Sequence, residues 1–260
     1  MKIDMNQAKI LNEMNVFIDN KKSPIKAYLF KINDKDALSL VHIRAIEGVT
    51  GMNVEYIDRE NLNIKTGLEE VQFLKDKTIV IDEGHGGQDA GAVDEIDKSK
   101  SDYIRTLEKD LNNKVGNKVI NRLKKLRAKV IVTRPNDDTV SLYDRVRIAN
   151  AEKADIFISI HFNAASESAH GIETFKYRNT KNPKTHKLAD SIHNQLVQYT
   201  NLYNRGVKTS GFYVLKYTDM PAVLVELGFI TNNEEEKIVN TDEFQEKCAN
   251  AIVQGIINTL

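Results

Sequence analysis

Cysteine, proline and tryptophan are nearly missing from this chain of 260 residues, which has one, four and none of them. A single thiol, Cys248, makes no internal disulfide, so a disulfide-stapled framework is excluded. It lies in Phe244-Gln245-Glu246-Lys247-Cys248, inside an apolar-periodic stretch, which points to a buried structural thiol rather than a reactive one. Scarce proline and glycine argue against a low-complexity or disordered chain. Excess charge is absent as well: 37 Lys and Arg balance 37 Asp and Glu, so net charge supplies no reason to expect nucleic-acid or membrane partners. No run approaches the roughly 20 apolar residues that span a bilayer. What remains is 41% apolar residues, ample for a packed core, in a length that suits a medium domain plus a small one.

Two textures meet near residues 67 to 76. Before them the elements are short. Val16-Phe17-Ile18 and Ile25 to Phe30 flank Asp19-Asn20-Lys21-Lys22 as a hairpin, and Leu40, Ile43 and Ile46 share one face of a short helix. Asn53 to Ile57 and Leu62-Asn63-Ile64 alternate around a second turn. Residues 1–74 therefore read as a small α+β accessory domain. From Thr78 the pattern becomes strand, helix, strand, helix. Thr78 to Asp82 and Asp155 to Ile160 are continuously apolar, as strands covered on both faces are. Leu107, Leu111, Val115, Val119, Leu123 and Leu126 recur at helical spacing. Lys129 to Thr133 forms a strand, and Ser141 with Asp144 reads as the capped start of a helix to about Ala151. Leu188, Ile192 and Leu196 mark another helix, Ala222 to Glu226 a strand, and Ile238 to Ile257 a closing helical region. Residues 75–260 are thus expected to form a doubly wound α/β domain, a mostly parallel sheet with helices on both faces.

The chemistry gathers after the buried strands. His85 follows the first in Glu83-Gly84-His85-Gly86-Gly87, His161 follows Asp155 to Ile160, and Glu226 ends Ala222 to Val225. Ligands of open α/β sheets bind beyond the carboxyl ends of the strands. Two histidines and one carboxylate around a metal, with a water in the fourth position, form a known catalytic zinc arrangement. Glu108, where the first long helix turns back toward the strand ends, is the best candidate for the carboxylate ligand. That leaves Glu226 to act on the water. Taken singly, each residue has a plainer reading: a histidine after a strand is more often hydrogen-bonded structure, and a glutamate at a helix start is favoured by the dipole. The four together outweigh those readings. His42, His170, His186 and His193 lie in contexts expected at the surface, and Glu234-Glu235-Glu236 after Asn232-Asn233 reads as a capped helix start.

From Thr78 onward these residues sit in a longer pattern. It comprises Ile81 to Ala92, Leu107-Glu108-Lys109-Asp110-Leu111, Val132-Thr133-Arg134 with Asp138, and Ser141-Leu142-Tyr143-Asp144-Arg145. Then follow Ala149-Asn150, Ser159-Ile160-His161-Phe162-Asn163-Ala164, Gly171-Ile172-Glu173-Thr174, and Pro221 to Asn232. In this order they resemble the zinc-dependent N-acetylmuramoyl-L-alanine amidases of the amidase-3 type. The resemblance implies Zn2+ held by His85, Glu108 and His161, with Glu226 as the catalytic carboxylate. It implies hydrolysis of the amide between N-acetylmuramic acid and the first L-alanine of the stem peptide, with peptidoglycan as partner and a place outside the cell at the wall. The start Met1-Lys2-Ile3-Asp4-Met5-Asn6 has no signal-peptide core, so export is expected through a leader absent from this chain or by another route. Glu83 departs from the proline or small residue usual in that family, Phe162 from its common alanine, and no glycine precedes Glu108; these departures bear on substrate preference. Val41 to Ile46 followed by Gly51 to Tyr56 resembles the small N-terminal module of copper amine oxidases, expected here as a wall-targeting or protein-docking unit without copper. Two other readings stand beside it: a zinc peptidase acting within the stem peptide with the same metal chemistry, and an inactive wall-binding protein, which loss of any of the four residues would favour although all four are present.

Overall fold

The structure, a computed structural model, describes residues 9–16, 25–31, 40–44, 54–56, 74–93, 105–180 and 182–260. The chain divides into two compact units, Met1–Glu70 and Val71–Leu260.

The described part of the first unit is a four-stranded antiparallel sheet in the order β1-β2-β3-β4, formed by β1 (Lys9–Val16), β2 (Ile25–Lys31), β3 (Leu40–Arg44) and β4 (Val54–Tyr56). The first hairpin is present, but its leading strand runs from Lys9 to Val16 rather than starting at Val16. The expected helix through Leu40 and Ile43 is corrected: Leu40–Arg44 is a strand, with Ile43 opposite Lys26 on one side and Val54 on the other. Five residues containing Val41 and Ile43 are too few for a stable helix and carry the β-branching that strands favour. β4 pairs with β3; its expected partner, Leu62 to Ile64, lies outside the described residues.

The second unit is built on a six-stranded sheet in the order β6-β5-β7-β10-β8-β9. Its strands are β5 (Thr78–Glu83), β6 (Lys129–Val132), β7 (Ile156–Asn163), β8 (Ile172–Tyr177), β9 (Asn204–Ser210) and β10 (Ala222–Phe229). Every adjacent pair is parallel except β10 with β8, so the sheet is mostly parallel with its last two strands reversed. The helices are α1 (Glu108–Lys125), α2 (Leu142–Ala151), α3 (Pro183–Thr200), the single turn α4 (Tyr213–Lys216), α5 (Asn233–Val239) and α6 (Asp242–Ile257). β9 and α4 carry no clear apolar period, and the sequence pattern did not announce either.

Strand alternation divides the core between the two faces of the sheet. Ile79, Ile81, Ile158, Ile160, Val223 and Val225 bury against α1, α3 and α6, while Val80, Phe157, Ala222 and Leu224 bury against α2 and α4. Each fully buried aliphatic side chain contributes about 1.5–3 kcal/mol relative to exposure. Local signals agree with this packing. Ser141 accepts the Asp144 amide at the start of α2, Asn232 those of Glu234 and Glu235 in α5, and Thr241 that of Phe244 in α6. Cys248 is fully buried, and burial pushes its thiol well above the usual range. Among the described residues no helix is long and apolar enough to cross a membrane.

Candidate metal centre

Parallel pairing fixes the first geometric fact of the site. His161 lies in β7 opposite Glu226 in β10, and Glu226 lies opposite Glu173 in β8. His161 therefore sits within β7 rather than after it as the sequence pattern placed it, and β10 continues past Glu226 to Phe229. Register puts all three side chains on one face at strand spacings of about 4.8 Å.

His85 arrives from the loop after β5. Its backbone has φ 62°, uncommon for a residue with a side chain, and Gly86 and Gly87 continue the turn at φ 128° and 60°. Arg145, buried on α2, holds this loop. One guanidinium nitrogen donates to the His85 carbonyl at 2.7 Å, another to the Glu83 carbonyl at 2.7 Å and to Asp82 Oδ1 at 2.8 Å, and Nε to the Val140 carbonyl. Thr133 and Ser159 also donate to Asp82, so a single carboxylate ties β5, β6, β7 and α2 together. Burial alone would raise the Asp82 pKa, but Arg145 and these hydrogen bonds hold it below the usual range. Gly86 and Asp89 exchange backbone hydrogen bonds, and the turn sets Asp89 Oδ2 2.9 Å from His85 Nδ1.

Glu108 opens α1. Its Oε2 accepts the Ala92 amide at 2.7 Å and its Oε1 the Phe162 amide at 3.2 Å. The same two oxygens face the imidazoles, with Oε1 2.8 Å from His161 Nδ1 and Oε2 3.2 Å from His85 Nε2. One turn along, Asn112 Nδ2 donates to the Gly84 carbonyl at 3.1 Å and reaches Glu108 Oε1 at 3.5 Å. Two glycines keep the space clear. A Cβ at Gly84 would enter the His161 ring, and one at Gly91, where φ is 68°, would lie 2.5 Å from Glu108 Oε2 and 2.6 Å from His85 Cδ2.

One ligand atom from each of His85, Glu108 and His161 lies within 4.8 Å of the others, so the three can hold one metal ion. Beside them, Glu226 Oε2 is buried with no hydrogen-bond partner. Burial, followed by the nearby Glu108 and Glu173 carboxylates, pushes Glu226 well above the usual carboxylate range. Burial opposes ionisation of Glu108 too, yet hydrogen bonds from His161 and His85 outweigh it and hold Glu108 below that range. Burial works to lower the His85 pKa, and contacts with Glu108 and Asp89 reverse this and raise it. A cation among these ligands would favour the charged carboxylates and the neutral imidazoles that ligation requires.

The structure thus gathers all four residues singled out by sequence: His85, Glu108, His161 and Glu226. It adds four with no role in that reading: Asp89, Asn112, Arg145 and Glu173. Two had a readable signal, since Asp89 is a carboxylate four residues beyond a candidate ligand histidine, and Arg145 is a charge beside Val146 and Ala149 on the buried face of α2. His193 is corrected from the surface to the interior: it is 3% exposed, bonded to Thr174 and Asn204, because Ile192 and Leu196 carry the buried face of α3 past it. Glu235 is likewise more than a helix-start acid; it is buried and accepts the Gly171 and Phe229 amides.

Residues 79–258 match the family described as N-acetylmuramoyl-L-alanine amidase. The chain is 41% identical to the uncharacterized protein YqiI of Bacillus subtilis over 183 residues, covering 70% of this chain and 84% of that one. It is 37% identical to the N-acetylmuramoyl-L-alanine amidase LytC of Bacillus subtilis, again over 70% of this chain but only 35% of that longer protein. In three dimensions it resembles the N-acetylmuramoyl-L-alanine amidase of Clostridium difficile 630, with TM-score 0.64 and 36% identity over 69% of this chain and 94% of that one.

Proposed function

The chain belongs to the N-acetylmuramoyl-L-alanine amidase family, and on that premise we propose that it cleaves the amide between N-acetylmuramic acid and L-alanine in peptidoglycan using zinc held by His85, Glu108 and His161. The observation that carries the reading is the convergence of these three ligand atoms beside the buried, unpartnered oxygen of Glu226. Two imidazoles and one carboxylate are a donor set that suits zinc with a position left open, and the clearance at Gly84 and Gly91 leaves the ligand atoms room. When bound, zinc polarises a carbonyl and lowers the pKa of a water to about 7.

The remaining steps belong to the protein. Glu226 takes a proton as water attacks the lactyl carbonyl. It returns the proton to the alanine nitrogen as the C–N bond breaks, leaving a carboxylic acid and a free amine. Burial pushes its pKa upward, so it holds a proton more firmly than an exposed carboxylate would, which suits a group that takes a proton and hands it on. Asp89, accepting from His85 Nδ1, keeps Nε2 directed at the Glu108 side of the site. Arg145 holds the His85 backbone in place.

Digestion of purified peptidoglycan tests the reading. The zinc-loaded protein should release new N-terminal L-alanine, and a chelator should abolish the release. New amino termini elsewhere in the stem would mean a peptidase, and wall binding with no new terminus an inactive binder. We read residues 1–74 as an accessory module for wall targeting or docking, since the family match begins beyond it at residue 79. The whole is read as acting outside the cell, at the wall.

A further inference from the structure

We propose that Arg205 and Lys208 form a subsite for a carboxylate of the stem peptide, on the residue next after the alanine, and thereby set which peptidoglycans are preferred; this rests on the amidase reading above. The argument begins with strand faces. Ala222, Leu224 and Glu226 share the face of β10 that meets α2 and α4. Register carries that face outward, from Glu226 to Glu173 and from Leu224 through Phe175 to Lys208. β9 is the edge strand, and the face above β8 is covered only in part, by the single turn of α4. Glu173, Arg205 and Lys208 therefore lie between the catalytic residue and the sheet edge, on the same face as it.

Their charges do not cancel. Glu173 is 4% exposed, and a single oxygen, Oε1, accepts from both Arg205 Nε and Lys208 Nζ. One cation would neutralise one carboxylate; two leave the cluster net positive. Burial acts to raise the Glu173 pKa, but the two cations hold it low. Arg205 is also pre-positioned: it donates to the His170 carbonyl at 3.2 Å, and its guanidinium lies 4.9 Å from the centre of the Phe229 ring. The Arg205 and Lys208 side chains nonetheless remain 29% and 39% exposed, so both offer donors to an incoming anion.

Reach selects the anion. Arg205 leans back from β9 onto Glu173, and Glu173 stands on the strand next to Glu226, one strand spacing or roughly 5 Å away. A carboxylate on the residue after the alanine lies at most about 7 Å from the scissile amide, and one a residue further at about 10 Å. The nearer one matches. In peptidoglycan that residue is a glutamate joined through its side-chain carboxyl, which leaves its α-carboxyl free, or amidated in some walls. The subsite would distinguish acid from amide at that position.

Kinetics of the zinc-loaded full chain on two small substrates, N-acetylmuramoyl-L-alanyl-D-glutamate and its D-isoglutamine counterpart, test this. Wild type should favour the acid in kcat/KM by about tenfold, the scale of one charge-assisted hydrogen bond. Arg205→Gln should remove most of that acid-to-amide ratio, mainly through KM for the acid, and Arg205→Lys should restore part of it. Lys208→Gln, at the more exposed position, should lower the same ratio and decides the matter if Arg205→Gln does not fold. A wild type indifferent to the substitution, or a ratio unchanged in the variants, overturns the subsite while leaving the amidase reading intact. Failure to release L-alanine amine from either substrate overturns the amidase reading itself, and the subsite with it.

Discussion

Replacing Glu83 with glutamine should remove a pH dependence that the wild-type fold carries. Glu83 ends β5, is 1% exposed, and leaves Oε1 without a partner, while Oε2 accepts from Asn113 at 2.8 Å. Its side chain fits because residue 116 is glycine; a Cβ there would collide with Oε1. Burial dominates and raises the pKa from 4.5 to about 7, against the pull of Asn113 and of Arg134, whose guanidinium is 3.8 Å away. An acid whose folded pKa lies above its unfolded value is destabilising once ionised, so stability is lost as pH rises from 4.5 through about 7. At about 1.4 kcal/mol per pKa unit, the loss from this residue between pH 4.5 and 8 is about 3 kcal/mol. Urea unfolding of metal-free protein, followed by circular dichroism at both pH values, measures it. Glu83→Gln should be less sensitive to pH than wild type by about that amount. An amide N–H left without an acceptor costs about 1–3 kcal/mol at both pH values and cancels from the difference. Arg134 keeps its bonds to the Glu83, Asn136 and Lys109 carbonyls, so the substitution leaves that guanidinium satisfied. Equal pH dependence in the two proteins would refute the reasoning.

Glu226→Gln should keep its zinc, measured by metal analysis, and lose about 10²–10⁴-fold in kcat, whereas Glu108→Gln should weaken zinc binding; the reverse pattern would exchange their roles. Asp89→Asn should weaken zinc affinity about 10–100-fold in a competition titration, because the His85 ring loses its carboxylate partner. Arg145→Met should cost about 3–5 kcal/mol in chemical unfolding, by leaving Asp82 buried without its cation. Adding Asp82→Asn should then cost much less than it does in an otherwise wild-type chain, and simple additivity would count against the pairing. Residues 71–260 alone, which keep the buried Leu74, should fold and hydrolyse a small muramyl peptide, since all four candidate residues lie beyond the boundary; an insoluble product would count against that boundary.

Most of the second unit was legible because its signals are local. A continuous apolar strand such as Thr78–Glu83, or the four-residue rhythm of Leu111, Val115, Val119 and Leu123, states its burial without reference to anything distant. The cap at Ser141 works in the same way. The four candidate residues that the fold brings together stood out for a related reason: each stands beside a strand or at a helix start, within a motif long enough to be distinctive. Less was legible at the edges. β9 is half exposed and mixes Arg205, Gly206 and Lys208 with little apolar period, and the strand Leu40–Arg44 was too short for its spacing to separate helix from strand.

What the sequence alone determined, then, is which residue types are available for chemistry and which elements carry them. Tertiary structure decided which of those residues meet. Register between β7, β10 and β8 aligned His161, Glu226 and Glu173, although they are separated along the chain by many residues and lie on strands of both directions. The turn at Gly86 brought Asp89 beneath His85, and α2 carried Arg145 back to the loop before it. Charge followed from those meetings. Glu83, Glu108 and Glu226 are the same side chain in the sequence, but burial prevails in two of them, raising Glu226 with no cation beside it and Glu83 in spite of Arg134, while paired imidazoles lower the third. A carboxylate's protonation is set by its solvation and its neighbours, and both exist only once the chain has folded.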